Sequence, residues 1–177
     1  MLQENASRNR ADAVTVVGAA VGEDSGSATL HRYGYRRRNR GGLLAMNQAE
    51  SIAVEMVSLD DYCRRQGLDK RPVGFIKIGV EGFEYFALRG ALETLGRCRA
   101  LLTEFAPARL AQADVYPAGM LDLLVELGFV PAVLEADGPR PVERAELLAD
   151  AQPRNIFWAR PTRRVASPPP DPDALAI

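Results

Sequence analysis

The chain has 177 residues, 47% of them hydrophobic and 25% charged, with a formal net charge of −1. This composition is typical of a soluble globular domain and excludes a disordered chain or a collagen-like repeat. The net charge is too small to attract nucleic acid or an anionic membrane. Two cysteines, one histidine and the lack of a long apolar run exclude a disulfide framework, a multi-histidine metal site and a membrane span.

The first third of the chain predicts strands. Residues 1–12 are polar and predict a frayed start without a secretory signal, so we expect a cytoplasmic protein. An apolar, β-branched run at 14–20 predicts a buried strand. Residues 27–32 and 52–57 alternate polar and apolar side chains and predict two further strands, separated by a basic loop at 35–42.

The middle of the chain alternates helices and strands. Ser58 caps a predicted helix that runs to Gly67. The compact apolar run 75–80 is typical of a parallel strand buried on both faces. Residues 83–95 carry an apolar stripe at helical spacing, and Gly96 ends this predicted helix.

The remainder continues the alternation up to a proline-rich end. We predict a strand at 100–105, a helix at 116–128 and strands at 129–134 and 155–159, the last two joined by a proline- and charge-rich loop. Residues 161–177 predict an unfolded tail.

An α/β fold follows from this order of elements. Strand, helix, strand, helix, strand over residues 75–134 indicates a parallel sheet, and ligands of such sheets lie beyond the carboxyl ends of the strands. That rule selects residues 79–82 after one strand, and Glu104 and Phe105 at the end of the next.

Four segments together resemble the FkbM-type methyltransferases. They are VSLDDYC at 57–63, FIKIGVEGFEYFALRGA at 75–91, ALLTEF at 100–105 and AAVGEDSGSATL at 19–30. The resemblance implies a class I Rossmann-like fold that binds S-adenosyl-L-methionine and methylates an oxygen on a sugar, polyketide or similar small molecule. It also implies a methyltransferase domain at 13–160.

The resemblance places site residues at the ends of the two middle strands. It implies that Glu81, Glu84 and Glu104 lie beside the transfer site as catalytic candidates, and that no metal takes part. Cofactor-binding candidates are Gly79, Val80 and Gly82. Gly79 stands where the family carries aspartate, so a carboxylate expected beside cofactor and substrate is missing.

The family's glycine-rich cofactor loop has no clear counterpart. Residues 18–22 carry a glycine pair after an apolar run, but the residues that follow do not favour a helix. By the resemblance the sheet order is 3-2-1-4-5-7-6, and we expect the first two strands to be absent, which leaves a partial Rossmann-like sheet. We therefore expect this chain to bind the cofactor weakly or not at all.

The sequence therefore predicts one of two functions. One is an O-methyltransferase acting on a small-molecule or sugar hydroxyl, in a truncated and inactive form. The other is a non-catalytic methyltransferase-fold module that binds a partner chain, or a second copy, through unpaired strand edges. Neither implies nucleic acid or membrane as a partner.

Individual side chains also have structural interpretations. Glu81 and Glu84 can simply cap the following helix and offset its dipole, as can Asp60 and Asp61 at an earlier one. Mid-strand Lys77 predicts a salt bridge to Glu104 or an aspartate. The basic residues 36–40 predict a solvated loop, with grip on an acidic substrate as the alternative.

Overall fold

The computed structural model describes residues 2–32, 41–43 and 50–161. The basic residues 36–40 and nearly all of the predicted tail at 161–177 lie outside them. The strands of the described residues are β1 (Ala20–Val21), β2 (Gly26–Arg32), β3 (Gly41–Gly42), β4 (Glu50–Val57), β5 (Val73–Ile78), β6 (Cys98–Phe105), β7 (Val130–Glu135), β8 (Gly138–Pro141) and β9 (Arg154–Ala159). Their helices are α1 (Leu2–Arg8), α2 (Leu59–Arg65), α3 (Glu84–Arg89), α4 (Leu92–Gly96), α5 (Pro107–Gln112), α6 (Pro117–Glu126) and α7 (Arg144–Ala149).

The strands form two sheets in a mixed α/β architecture. The smaller sheet has the order β1-β4-β2-β3, with β1 parallel and β2 antiparallel to β4. The larger has the order β5-β6-β9-β7-β8. In the larger sheet β5 and β6 are the only parallel neighbours. β9 is antiparallel to both β6 and β7, so β7 runs in the same direction as β5 and β6. The prediction of an α/β fold with sheets and flanking helices is confirmed.

One face of the larger sheet carries the hydrophobic core. The strands contribute alternate residues, and helices α3, α4, α6 and α7 cover them with leucines. The fully buried members include Leu88, Leu95, Leu101, Phe105, Leu121, Leu124, Leu147, Ile156 and Trp158. The indole N–H of Trp158 donates to the Thr103 hydroxyl at 3.0 Å, so the polar groups of this core are paired.

β5 confirms the predicted strand but not its double burial. It lies at the end of the larger sheet and pairs with β6 alone among the described strands. Phe75 is 53% exposed, whereas Ile78 on the opposite face is buried. The prediction of burial on both faces was wrong because an apolar run indicates a strand without showing that another layer covers each of its faces.

The predicted strand at 14–20 is wrong over most of its length. Only Ala20–Val21 is a strand, paired in parallel with β4. Val14, Val16 and Val17 are exposed and no described strand lies beside them. β-branched residues favour extended backbone, but a strand also needs a neighbour for its N–H and C=O groups.

The predicted helix at 83–95 is two short helices, α3 and α4, with a break at Gly90 and Ala91. A close backbone approach accounts for the glycine. A Cβ atom on Gly90 would lie 2.1 Å from the carbonyl oxygen of Gly22. Gly90 therefore lets the β1–β2 connection pack against this break.

Ser58 caps α2 as predicted, accepting a hydrogen bond from the Asp61 N–H at 3.1 Å. Asp60 reaches a different helix. Its carboxylate accepts the N–H groups of Glu93 and Thr94 at 2.9 and 2.8 Å, so it caps α4 and fastens it to α2.

Three helices and two strands were not predicted. The polar start forms α1, which buries no residue, and the proline- and charge-rich loop contains β8 and α7. β3 lies at the end of the predicted basic loop 35–42. α5, directly after β6, was also missed and bears on the site described below.

In residues 2–32, 41–43 and 50–161, every helix is too short or too polar to span a bilayer.

Candidate active site

The carboxyl ends of β5 and β6 lie side by side because these strands are parallel. β5 leads into the turn Gly79–Phe83, and α3 begins at Glu84. Glu104 is the penultimate residue of β6, and α5 follows at Pro107. The fold thus brings the predicted site residues of both strands to one edge of the larger sheet.

Glu84 closes the turn that precedes its own helix. Its side chain is 1% exposed in the folded chain. One carboxylate oxygen accepts the Val80 N–H at 2.8 Å and the other accepts the Gly82 N–H at 2.9 Å. These bonds flank Glu81 on both sides, so the Glu84 carboxylate fixes the backbone that carries the Glu81 side chain.

Burial raises the pKa of the Glu84 carboxyl above its ordinary value. The hydrogen bonds from backbone N–H groups, including those of Val80 and Gly82, oppose this rise, and the negative charge of Glu104 adds to it. The Glu84 carboxylate is engaged by the turn and faces away from solvent, which is the geometry of a residue that supports a site.

The turn holds two successive residues in the left-handed region. Glu81 has φ 55° and Gly82 has φ 101°. Glycine adopts such a conformation freely, but a glutamate there carries a cost that surrounding contacts must offset. The bonds to Glu84 supply two such contacts. The V-E-G-x-E segment therefore specifies a turn that presents Glu81.

Arg109 joins the two remaining predicted carboxylates. Its Nη1 atom lies 2.7 Å from Glu81 Oε2 and 3.3 Å from Glu104 Oε1. We call these three residues the Glu–Arg–Glu cluster. Each side chain is a quarter to a third exposed, so the cluster is accessible from solvent while its members stay paired.

Sequence reasoning missed Arg109 because it missed α5. A proline at the first helical position was available as a start signal, since Pro107 follows the end of β6 directly. The helix is only 6 residues long and shows too little apolar periodicity to be predicted by pattern.

Lys77 does not form the predicted salt bridge. It is exposed, and no described carboxylate pairs with it. Its chain extends along the strand toward Gly79, where an added Cβ atom would lie 2.9 Å from Lys77 Nζ. Lys77 lies on the same exposed face of β5 as Phe75, so water solvates its charge.

The described residues do not fit the methyl donor. Residues 18–22 run into β1 and then into the β2 hairpin, so no helix follows the glycine pair. A glycine-rich strand–loop–helix with free N–H groups is what a nucleotide-type cofactor requires. The N–H groups of Val80 and Gly82, two predicted cofactor contacts, are already bonded to Glu84.

No group of three or more His, Cys, Asp or Glu residues within the described part of the chain has the arrangement of a metal site. Cys63 and Cys98 are both buried and reduced.

Comparisons with known proteins identify a family whose match includes the segments at this edge of the sheet. The model of the methyltransferase FkbM domain matches residues 4–131, more than half of the chain. A curated relative, 2-O-methyltransferase NoeI of Sinorhizobium fredii (strain NBRC 101917 / NGR234), is 33% identical over 101 residues. The aligned region is 57% of this chain and 39% of NoeI, so the chain spans about two fifths of that relative's length. No solved structure gives a significant match.

Proposed function

We propose that this chain, which belongs to the FkbM methyltransferase family, forms the acceptor side of an S-adenosyl-L-methionine-dependent O-methyltransferase. The acceptor would be a hydroxyl group of a small molecule or sugar, and the name of the relative, 2-O-methyltransferase NoeI, supports oxygen as the methylated atom. In this proposal the described residues do not by themselves hold the donor, and the chain alone is inactive.

The observation that carries the proposal is the Glu–Arg–Glu cluster at the carboxyl ends of two parallel strands. A carboxylate there can accept a hydrogen bond from an acceptor hydroxyl and take up its proton. Methyl transfer depends chiefly on the placement of the reacting groups, so two partly exposed carboxylates held by one guanidinium suit the orientation of a hydroxyl.

The strand order supports a partial Rossmann-like sheet. The family order 3-2-1-4-5-7-6 ends in 4-5-7-6, and the larger sheet has β5-β6-β9-β7 in those places, with β9 antiparallel to its neighbours. In this interpretation β5 corresponds to the fourth family strand, and its free edge is where the first strand would pair.

Isothermal titration of S-adenosyl-L-methionine into the 177-residue chain tests the donor part of the proposal. We expect no saturable heat, since the described residues lack a glycine-rich strand–loop–helix. Saturable binding in the micromolar range would contradict this part.

The acceptor part is tested by nuclear magnetic resonance with a methyl glycoside as the probe. We expect weak binding that shifts the amide signals of Val80, Glu81 and Gly82, and loss of those shifts in Glu81→Gln. Glu126→Gln, an exposed carboxylate change on α6, is the matched control and should bind as wild type. Shifts confined to other parts of the chain would contradict an acceptor site at this edge.

A second candidate function rests on the edge of β5 that no described strand covers. Such an edge offers N–H and C=O groups to an incoming strand, and Phe75 beside them is half exposed. We propose partner binding by strand addition as the alternative to catalysis. Size-exclusion chromatography with light scattering separates the two, because a monodisperse monomer at all concentrations would argue against self-association through this edge.

A further inference from the structure

Lys77 reaches the candidate site from within β5. Side chains two positions apart in a strand lie on the same face, and Gly79 follows Lys77 by two residues. A Cβ atom added to Gly79 would lie 2.9 Å from Lys77 Nζ. The lysine side chain therefore lies over Gly79 and carries its ammonium group to the carboxyl end of β5, where parallel sheets bind their ligands.

Glu104 lies on that same face of the neighbouring strand. Lys77 is aligned with Leu102 in the parallel register of β5 and β6, and Glu104 follows Leu102 by two residues. The same register, continued past the end of β5, places Gly79 beside Glu104. The lysine ammonium group and the Glu104 carboxylate thus border one patch of surface above Gly79, which has no side chain to fill it.

The two cations at this patch differ in how they are paired. Arg109 Nη1 lies 2.7 Å from a carboxylate oxygen of Glu81 and 3.3 Å from one of Glu104. Lys77 is exposed, and no described carboxylate pairs with it. The positive charge of Arg109 is therefore already offset by its partners, whereas the charge of Lys77 is left for a ligand to meet.

An ammonium group is a compact point charge with three N–H donors, and it pairs well with carboxylate and phosphate groups. We propose that Lys77 is a specificity-determining residue of this site. It selects an acceptor molecule that carries an oxyanion, either a carboxylate or a phosphate group, in addition to the hydroxyl that the Glu–Arg–Glu cluster binds. This inference rests on the acceptor part of the proposed function.

Nuclear magnetic resonance titrations of the 177-residue chain test this selection with three probes that share a glucose-type ring. They are the neutral methyl glucoside, methyl glucuronide with a carboxylate, and glucose 1-phosphate. We expect one or both charged probes to bind up to about fivefold more tightly than the glucoside, the gain typical of one exposed ion pair. Comparison of the two charged probes identifies which oxyanion fits. The preference should disappear at about 1 M salt, which screens such a pair.

Variants assign the preference to one ammonium group. Lys77→Gln should bind all three probes equally, because its side chain stays polar but loses the charge. Lys70→Gln is the matched control and should keep the preference, since Lys70 is the other lysine of the chain and is exposed in the turn before β5. Gly79→Asp should abolish the preference because its carboxylate would pair with Lys77, whereas the uncharged Gly79→Asn should retain it. Circular dichroism confirms that each variant remains folded.

Failure of the inference and failure of the proposed function give different results. Equal binding of the three probes by wild type, with shifts at the turn after β5, would overturn selection by Lys77 and leave the acceptor site in place. A preference that survives in Lys77→Gln would belong to another cation and would overturn the proposal as well. Equal preferences of Gly79→Asp and Gly79→Asn would overturn the position of the ammonium group over Gly79. Binding of none of the probes would overturn the acceptor part of the proposed function, and this inference with it.

Discussion

Glu84 illustrates how a residue that looks catalytic in a motif can instead hold the residue beside it. Its two oxygens accept N–H groups on both sides of Glu81, and its side chain is buried. Glu84→Gln keeps the shape but turns one acceptor into a donor that faces an N–H group. We expect a loss of about 1–3 kcal/mol in the free energy of unfolding, measured by urea denaturation at pH 7. Glu126→Gln should change stability by less than about 0.5 kcal/mol.

The raised pKa of Glu84 makes this difference depend on pH. Since burial raises the pKa of Glu84 in the folded chain above its ordinary value, folding is favoured more when Glu84 is protonated. This stabilisation is fully present below the pKa of the unfolded chain and is lost as pH rises through the pKa of the folded chain. The difference in stability between wild type and Glu84→Gln should therefore widen as pH falls from 7 toward the ordinary pKa of a glutamate. A gap that narrows on acidification would contradict the direction of the shift.

Gly90 in the L-x-G-A segment is a packing requirement. A Cβ atom would meet the Gly22 carbonyl oxygen at 2.1 Å and the Glu23 carbonyl oxygen at 2.9 Å, both on backbone. We expect Gly90→Ala to lower the free energy of unfolding by about 1–3 kcal/mol or more, since backbone must move. Gly119→Ala is the control, because no atom lies within 4 Å of its Cβ position in α6. It should be neutral or stabilise by up to about 1 kcal/mol in thermal melts.

Among the secondary structure elements, α2 and α4 depend on one aspartate. Asp60 lies in α2 but caps α4 through the Glu93 and Thr94 N–H groups. Asp60→Ala should reduce stability by about 0.5–2 kcal/mol, and hydrogen exchange should show faster exchange of the α4 amides in particular. Asp24→Ala, at an exposed turn, should leave the α4 amides unchanged. Equal effects of the two substitutions would argue against the cap.

Elements with their own local signal were predicted from the sequence. The strands at β2, β4, β6 and β9 and the capped helix α2 follow from alternation, apolar runs and Ser58. The short elements β8, α5 and α7 were missed because six residues or fewer carry little periodicity. The run at 14–20 failed for the opposite reason, since its local signal is strong but its pairing depends on a neighbour elsewhere.

The candidate site was predictable only as a location. Placing residues 79–82 and Glu104 at one edge followed from strand order. The different roles of Glu81 and Glu84 could not be predicted, because they depend on the direction in which the turn points each side chain. Arg109 could not be predicted either, because it lies on α5, which has no clear sequence pattern. Lys77 was expected to be paired because a charged side chain in the middle of an apolar strand normally needs a partner.

At the scale of the whole molecule, the described residues form a four-stranded and a five-stranded sheet with flanking helices, and β5 is the terminal strand of the larger sheet. The region matched by the family model includes residues with clear structural roles. Glu84 holds the turn after β5, Gly90 allows a close backbone contact, and Asp60 caps α4. These roles support a site for an acceptor hydroxyl. The described residues do not include a glycine-rich strand–loop–helix that could hold the donor.

Amide hydrogen exchange across β5 and β6 is the most direct measurement of this architecture. Alternate amides of an edge strand point away from its one neighbour, so we expect every second amide of β5 to exchange rapidly while β6, paired on both sides, is protected throughout. Uniform protection along β5 equal to that of β6 would show that another strand pairs with it in solution, and would contradict a sheet that ends there.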